Sequence, residues 1–183
     1  KYSQPAIALH QLAMVRIFET KGIKPRAVLG LSIGEFPALY AAGYLSLEDC
    51  IDVILRRAKL MSSLLATRQD DGMLAVIGPS RTEVEAILKT QKEVSLANIN
   101  SPKQHVLSGP RVALEKLEPQ LKEKRARLVY LDVEGAFHSR LFEPCIEPLE
   151  EKLRSVEWHE PQSKMYFNRT GGAAEDLPRV MAE

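Results

Sequence analysis

Cysteine is scarce in this chain, and neither sign of charge is in clear excess. Cys50 and Cys145 are the two cysteines in 183 residues and lack metal-ligand spacing, which favours buried free thiols in a reducing compartment over a disulfide framework. The formal net charge of +1 gives no electrostatic argument for nucleic acid or a membrane surface as partner. No apolar run approaches the length that spans a bilayer, and no signal peptide is recognisable. These absences favour a cytoplasmic protein.

Internal repeats and low-complexity segments are also missing. Hydrophobic residues make up 45% of the chain and charged residues 27%, which excludes disordered and fibrous classes. The length suits one domain, or one domain that carries a small insert. Because the sequence starts without methionine, we expect it to be a piece of a longer protein.

The stretch from Ala27 to Phe36 holds the most informative motif. A short apolar run ends in Gly30-x-Ser32-x-Gly34, and good helix formers follow, which is typical of a nucleophile elbow between a strand and a helix. We expect both glycines to be required because neighbouring atoms would pass too close to a Cβ. The elbow would expose the serine hydroxyl and aim the helix N-terminus at a developing oxyanion. It predicts acyl transfer or hydrolysis through a serine ester, although the bare pentapeptide also occurs by chance in loops.

Helical patterns flank this motif. One helix is predicted to open with Ser3 as its N-cap, and the helix after the elbow is predicted to end at Ala42. A third helix is predicted from Ser46 and carries Arg56 and Arg57 near its middle. Arginines at such positions are usually exposed to solvent.

The middle of the chain changes to short alternating elements. A capping box at Ser80-Arg81-Thr82-Glu83 opens one helix, and a charged amphipathic pattern predicts another over 112–124. Strands are predicted over 73–77, 94–97, 105–108 and 127–133, with a turn-rich link over 98–104. The resulting order β-α-β-β-α-β is the ferredoxin-like arrangement. We therefore predict a discontinuous α/β domain, 1–66 and 134–183, with a ferredoxin-like insert at 67–133. A helix over 140–155 and a strand over 164–168 are predicted to follow the insert.

His138 is the candidate base for Ser32. It lies where the chain returns from the predicted insert, and loops at strand ends of an α/β sheet collect catalytic groups. His10, His105 and His159 stand in contexts that favour structural roles.

Several motifs in order resemble one enzyme family. The chain is similar to malonyl-CoA:acyl-carrier-protein transacylases and to the acyltransferase domains of polyketide and fatty acid synthases. The similarity rests on Gly30-Leu31-Ser32-Ile33-Gly34-Glu35, on Arg57 placed 25 positions after the serine, on Asn98 to Gln104 with Val106-Leu107-Ser108-Gly109, and on Ala136-Phe137-His138-Ser139.

The resemblance implies a serine-hydrolase-like α/β fold with a ferredoxin-like insert, and S-acyltransferase activity. Ser32 would be the nucleophile, His138 the base, and the N–H of Ile33 an oxyanion donor. Arg57 would pair with the free carboxylate of a malonyl or related dicarboxylic acyl group. The acyl group would pass from coenzyme A to Ser32 and then to the phosphopantetheine thiol of an acyl carrier protein. Neither metal nor cofactor is implied beyond the coenzyme A thioester substrate, and further synthase domains are expected partners.

Specificity is also implied by the resemblance. Phe137 beside the base is typical of malonyl enzymes, and Asn98 is a further candidate for substrate binding. Leu31 occupies a position that is most often histidine in the family, so the acyl group could be unusual.

Two other functions fit the same motifs. One is a hydrolase that removes acyl groups from carriers with the same serine and histidine. The other is an inactive truncated domain, because the family's upstream Gly-Gln-Gly-x-Gln segment, which supplies the second oxyanion donor, is missing from this sequence. We expect weak activity without that donor.

Overall fold

The computed structural model describes residues 3–68, 70–172 and 176–183. The helices are α1 (Ser3–Thr20), α2 (Glu35–Ala42), α3 (Leu47–Leu65), α4 (Arg81–Leu88), α5 (Arg111–Glu123), α6 (Ile146–Arg154) and α7 (Leu177–Ala182). The strands are β1 (Ala27–Leu29), β2 (Asp71–Ile77), β3 (Ser95–Ser101), β4 (Gln104–Pro110), β5 (Arg127–Tyr130) and β6 (Lys164–Tyr166). Short 3₁₀ turns cover Ser32–Gly34 and Arg140–Cys145.

The chain divides into two compact units. The first unit comprises Lys1–Ser62 and Cys145–Glu183, and the second unit comprises Ser63–Pro144. The division at 66 and 134 expected from the sequence stays a prediction of the domain borders, and the structure assigns His138 to the second unit.

The first unit surrounds a short parallel sheet with helices. Strands β1 and β6 pair with Val28 opposite Met165. Helices α1, α2, α3 and α6 contribute the core, whose most buried members include Leu12, Leu39, Val53 and Leu153. This packing brings α1 and α3 beside the segment that follows β1 and so positions the predicted elbow.

The second unit is a four-stranded antiparallel sheet in the order β3-β4-β2-β5 with helices α4 and α5. Its apolar cluster includes Leu74 from β2, Leu107 from β4, and Leu114 and Leu117 from α5. Ser80 caps α4, and the reciprocal capping box with Glu83 is formed as predicted. Element order and pairing together confirm the ferredoxin-like arrangement expected from the sequence.

Several local predictions were wrong. The link over 98–104 is mostly strand, since β3 extends to Ser101 and leaves a tight turn before Gln104. The helix over 140–155 is a 3₁₀ turn followed by α6, because Pro144 lacks an N–H donor and disfavours α geometry in the residue before it. Ser3 lies within α1 rather than capping it. Within the described ranges, no helix is long and apolar enough to cross a bilayer.

Candidate active site

Ser32 lies on a sharp turn between β1 and α2. Its φ of 52° is in the left-handed region, which costs a residue with a side chain some free energy and recurs at functional sites. The turn Ser32–Gly34 continues directly into α2 at Glu35. The serine therefore lies just before a helix N-terminus, and the elbow geometry is as predicted.

The two elbow glycines differ in how much they are needed. A Cβ at Gly30 would lie 2.0 Å from the carbonyl oxygen of Gly34 and 2.1 Å from its carbon. A Cβ at Gly34 would meet only the Gln11 amide, at 3.6 and 3.7 Å, and its φ of −67° suits any residue. The expectation of a strict requirement holds for Gly30 and is wrong for Gly34.

Arg57 reaches the serine from α3. Its Nη2 donates to Ser32 Oγ at 3.4 Å, while its Nη1 donates to the side-chain carbonyl of Gln4 on α1. The guanidinium carbon lies 5.8 Å from the centroid of the Phe36 ring, within the range of a cation–π contact. The general expectation that a mid-helix arginine points into solvent does not hold for Arg57.

The guanidinium of Arg57 is partly buried. Burial lowers the pKa of Arg57 to about 10, while the nearby Glu35 carboxylate and the Cys145 thiol act in the opposite direction. Burial raises the pKa of Glu35, and the Asn168 hydrogen bond and the Arg57 charge oppose that rise. At neutral pH the guanidinium stays protonated, so a cation stands next to the serine hydroxyl.

Asn168, in the turn that follows β6, hydrogen-bonds to the elbow. Its backbone N–H donates to Glu35 Oε1 at 2.7 Å, and its Nδ2 donates to the Gly30 carbonyl at 2.5 Å. The predicted strand over 164–168 ends earlier, at Tyr166, which releases Asn168 for these contacts. Sequence reasoning assigned no role to Asn168 or Gln4.

Leu31 and Ile33 flank the nucleophile. Leu31 exposes 64% of its surface, whereas Ile33 packs against the core of the first unit. Ile33 occupies the second position of the 3₁₀ turn, and its backbone N–H therefore belongs to the turn that leads into α2.

The other predicted site residues lie in the second unit. His138 is exposed and has a φ of 56°. Phe137 stacks on Phe142 with ring centroids 5.6 Å apart, and Ser139 Oγ donates to the Ala136 carbonyl at 2.7 Å. These contacts hold the His138 segment in a defined turn.

Asn98 and His105 also belong to the second unit. Asn98 lies in β3 opposite Val106, and His105 is fully buried in β4 with Nε2 3.2 Å from the Pro79 carbonyl oxygen. The structural role expected of His105 is therefore confirmed. In the part of the chain that the structure describes, no group of three or more histidine, cysteine or acidic side chains could hold a metal ion.

Comparison with known proteins identifies the family of the chain. The family model described as the acyl transferase domain matches residues 1–183. The chain belongs to the acyl transferase domain family. A phenolphthiocerol-synthesis type I polyketide synthase from Mycobacterium marinum is 33% identical to this acyl transferase domain over 174 residues, which is 95% of the chain and 8% of that protein.

Solved structures share the fold. A malonyl CoA-acyl carrier protein transacylase from Clostridium perfringens is 30% identical with a TM-score of 0.91, covering 99% of this chain and 59% of that one. A malonyl-transacylase in complex with the acyl-carrier protein of a type II polyketide synthase is 27% identical with a TM-score of 0.88, covering 98% and 60%. These likenesses confirm the α/β fold, and the chain spans less than two thirds of each of these proteins.

Proposed function

We propose that this acyl transferase domain moves a malonyl or related dicarboxylic acyl group from coenzyme A to the phosphopantetheine thiol of an acyl carrier protein. The observation that carries the proposal is the Arg57 guanidinium held at 3.4 Å from Ser32 Oγ. A serine that forms an ester beside a fixed cation is suited to acyl groups that end in a carboxylate.

The first half-reaction loads the serine. Ser32 Oγ attacks the thioester carbonyl carbon, its proton passes to His138, and the carbon–sulfur bond breaks as coenzyme A leaves with that proton. The Ile33 N–H would donate to the oxyanion, where the N-terminal end of α2 adds favourable partial charge. The left-handed backbone of Ser32 supports this assignment, because strain of that kind is concentrated at functional sites.

The second half-reaction transfers the acyl group from Ser32 to the carrier. The carrier thiol gives its proton to His138 and attacks the ester carbon, and the Ser32 Oγ–carbon bond breaks as the serine takes the proton back. These steps use only the acyl-coenzyme A thioester, the carrier thiol and the chain's own residues, so we assign the coenzyme A thioester as a substrate and no resident cofactor. The solved transacylase in complex with an acyl-carrier protein supports a carrier as the acceptor.

Acyl selectivity would come chiefly from Arg57. A neutral acyl chain would offer the Nη2 edge of the partly buried guanidinium no carboxylate to pair with, which costs more than a lost methylene contact. We assign Leu31, Phe137 and Asn98 to further contacts with the acyl group or its pantetheine arm. The exposed Leu31 side chain beside Ser32 is the position where a different acyl group would be accommodated.

Other synthase domains are proposed partners, since the Mycobacterium marinum relative is a polyketide synthase far longer than this chain. We place the reaction in the cytoplasm, where the two free cysteines would stay reduced.

The test measures the adduct on Ser32 by mass spectrometry after the intact protein is mixed with malonyl-CoA or acetyl-CoA. We expect a malonyl ester that persists until a carrier protein is added. Arg57→Ala should lower malonyl loading by about a hundredfold and raise the acetyl share, whereas Arg56→Ala removes the same charge from the same helix and should change neither. His138→Ala should lower loading from both donors by about a thousandfold or more.

Three results would contradict the proposal. Equal loss of both acyl groups in Arg57→Ala would mean that the arginine is structural. Rapid release of free malonate without a carrier would indicate the hydrolase. Absence of any adduct in the intact protein would indicate an inactive domain.

A further inference from the structure

We propose that Gln4 is a positioning residue that holds Arg57 in place while leaving its positive charge available to a substrate carboxylate. Gln4 would thereby help to set the preference for dicarboxylic over neutral acyl groups. This role rests on the proposed function, because it requires Arg57 to bind an acyl carboxylate.

The Gln4 amide is held at both ends. Its carbonyl oxygen accepts from Arg57 Nη1, and its Nε2 donates to the Met61 sulfur at 3.4 Å. Met61 is 7% exposed and lies one helical turn after Arg57 on the same face of α3. The Gln4 amide on α1 therefore contacts two residues of α3. Its N–H donates to the Met61 thioether, and its oxygen accepts from the Arg57 cation.

The orientation of Arg57 follows from this contact. Nη1 is engaged by Gln4 and Nη2 points at Ser32 Oγ, so the edge of the guanidinium that carries Nη2 faces the nucleophile. An arginine side chain loses rotamer entropy when it is fixed in one orientation. A preformed contact removes part of that cost before the substrate binds, which is the general advantage of preorganisation.

The Gln4 amide carries no charge, and this affects what the Arg57 guanidinium can bind. In the described part of the chain, the groups around the guanidinium include Ser32, Gln4, the Phe36 ring, the Glu35 carboxylate and the Cys145 thiol. Glu35 is committed through Oε1 to the Asn168 backbone N–H. Gln4 satisfies a donor of Arg57 without adding a negative charge, whereas a carboxylate at position 4 would pair with the guanidinium and compete with the substrate for it.

The test uses two substitutions of nearly equal size. Gln4→Glu keeps the acceptor but adds the competing charge, and Gln4→Met keeps the volume but removes the acceptor. Ala6→Glu is the matched control, because it adds the same charge to an exposed position near the start of α1. Each variant of the intact protein is assayed for loading from malonyl-CoA and acetyl-CoA, with kcat and KM determined separately and the melting temperature recorded.

We expect KM for malonyl-CoA to rise by about a hundredfold in Gln4→Glu and by about tenfold in Gln4→Met, the range of a hydrogen bond to a charged group. The acetyl-CoA parameters should change far less, and Ala6→Glu should behave as the unmodified protein. Gln4→Glu should melt at an equal or higher temperature, because the new carboxylate compensates the partly buried cation. A purely structural glutamine would instead lower stability and affect both substrates alike.

The outcomes separate this inference from the proposed function. Unchanged malonyl selectivity in both Gln4 variants, together with its loss in Arg57→Ala, overturns the role of Gln4 alone. Unchanged selectivity in Arg57→Ala overturns the proposed function itself. If Gln4→Glu fails to fold, Gln4→Met still decides, since its malonyl KM either rises selectively or does not.

Discussion

The first unit and the second unit differ in the kind of side chain that they bury. In the second unit, Leu74 and Val76 alternate along β2 and join an apolar cluster with residues of α4, β4 and α5. In the first unit, the Arg57 cation and the Glu35 carboxylate are both shifted in pKa by burial, next to a serine with left-handed backbone. Burying charge costs free energy. Left-handed backbone does not separate the units, because Asp70, Arg125 and His138 of the second unit also have positive φ.

That difference indicates where the chemistry lies. A fold can form without burying charge, so the buried cation and carboxylate beside Ser32 point to selection for a reaction rather than for stability. The second unit contains the His138 turn and is otherwise a packed sheet with two helices. The comparison can be tested by damaging each unit in turn.

The largest effect is expected where the elbow is most crowded. Gly30→Ala places a Cβ 2.0 Å from a backbone oxygen that cannot move cheaply, so we expect a loss of about 3 kcal/mol or more in the free energy of unfolding. Gly34→Ala is the matched control and should change it by less than about 1 kcal/mol. Denaturant unfolding of both variants measures the difference. A tolerated Gly30→Ala would show that the elbow can relax and that its strain is not needed.

A smaller loss is expected from the apolar cluster of the second unit. Leu114 on α5 is fully buried, so Leu114→Ala should lower the free energy of unfolding by about 3 kcal/mol through lost contacts and a residual cavity. Val112 on the same helix is 59% exposed, and Val112→Ala should cost no more than about 0.5 kcal/mol. The ratio of malonyl to acetyl loading should stay constant in the protein that remains folded. A shift in that ratio would break the division of roles between the units.

The smallest effect concerns two thiols of the first unit. Cys50 is fully buried, its Sγ donates to the Phe36 carbonyl at 3.2 Å, and burial raises its pKa to about 12. Cys145 is only partly buried, which corrects the expectation that both thiols are buried. We expect a thiol reagent at neutral pH to label Cys145 at least about tenfold faster than Cys50, as followed by mass spectrometry.

The raised pKa of Cys50 also determines the direction in which stability changes with pH. Because its folded-state pKa lies above the unfolded value of 9.0, its contribution to stability is complete below about pH 9 and is lost as the pH rises towards 12. Labelling in denaturant should make the two thiols equivalent. Equal labelling rates in the native protein would show that the first unit opens readily.

Much of the second unit was predictable because its determinants are local. The capping box at Ser80 and Glu83 and the alternation along β2 act over a few residues. The β3–β4 hairpin was underestimated because Asn98 and Ser101 have poor strand propensity, while pairing with β4 overrides that preference.

The candidate site was predictable only in part. The Gly-x-Ser-x-Gly pattern is a contiguous signal, and its strand–turn–helix geometry is confirmed around Ser32. Arg57 came from family resemblance, since a mid-helix arginine by itself predicts exposure. His138 as the base stays a prediction.

The sequence by itself determined the order of strands and helices, the elbow and the identity of its serine, because these depend on neighbours within one or two turns of chain. Only the tertiary structure decided that Gln4 holds Arg57 across 53 residues and that Asn168 holds Gly30 across 138. Hydrogen bonds over such separations leave no periodic pattern in the chain. They form because packing of α1, α3 and β6 around one core brings their polar groups together at the elbow.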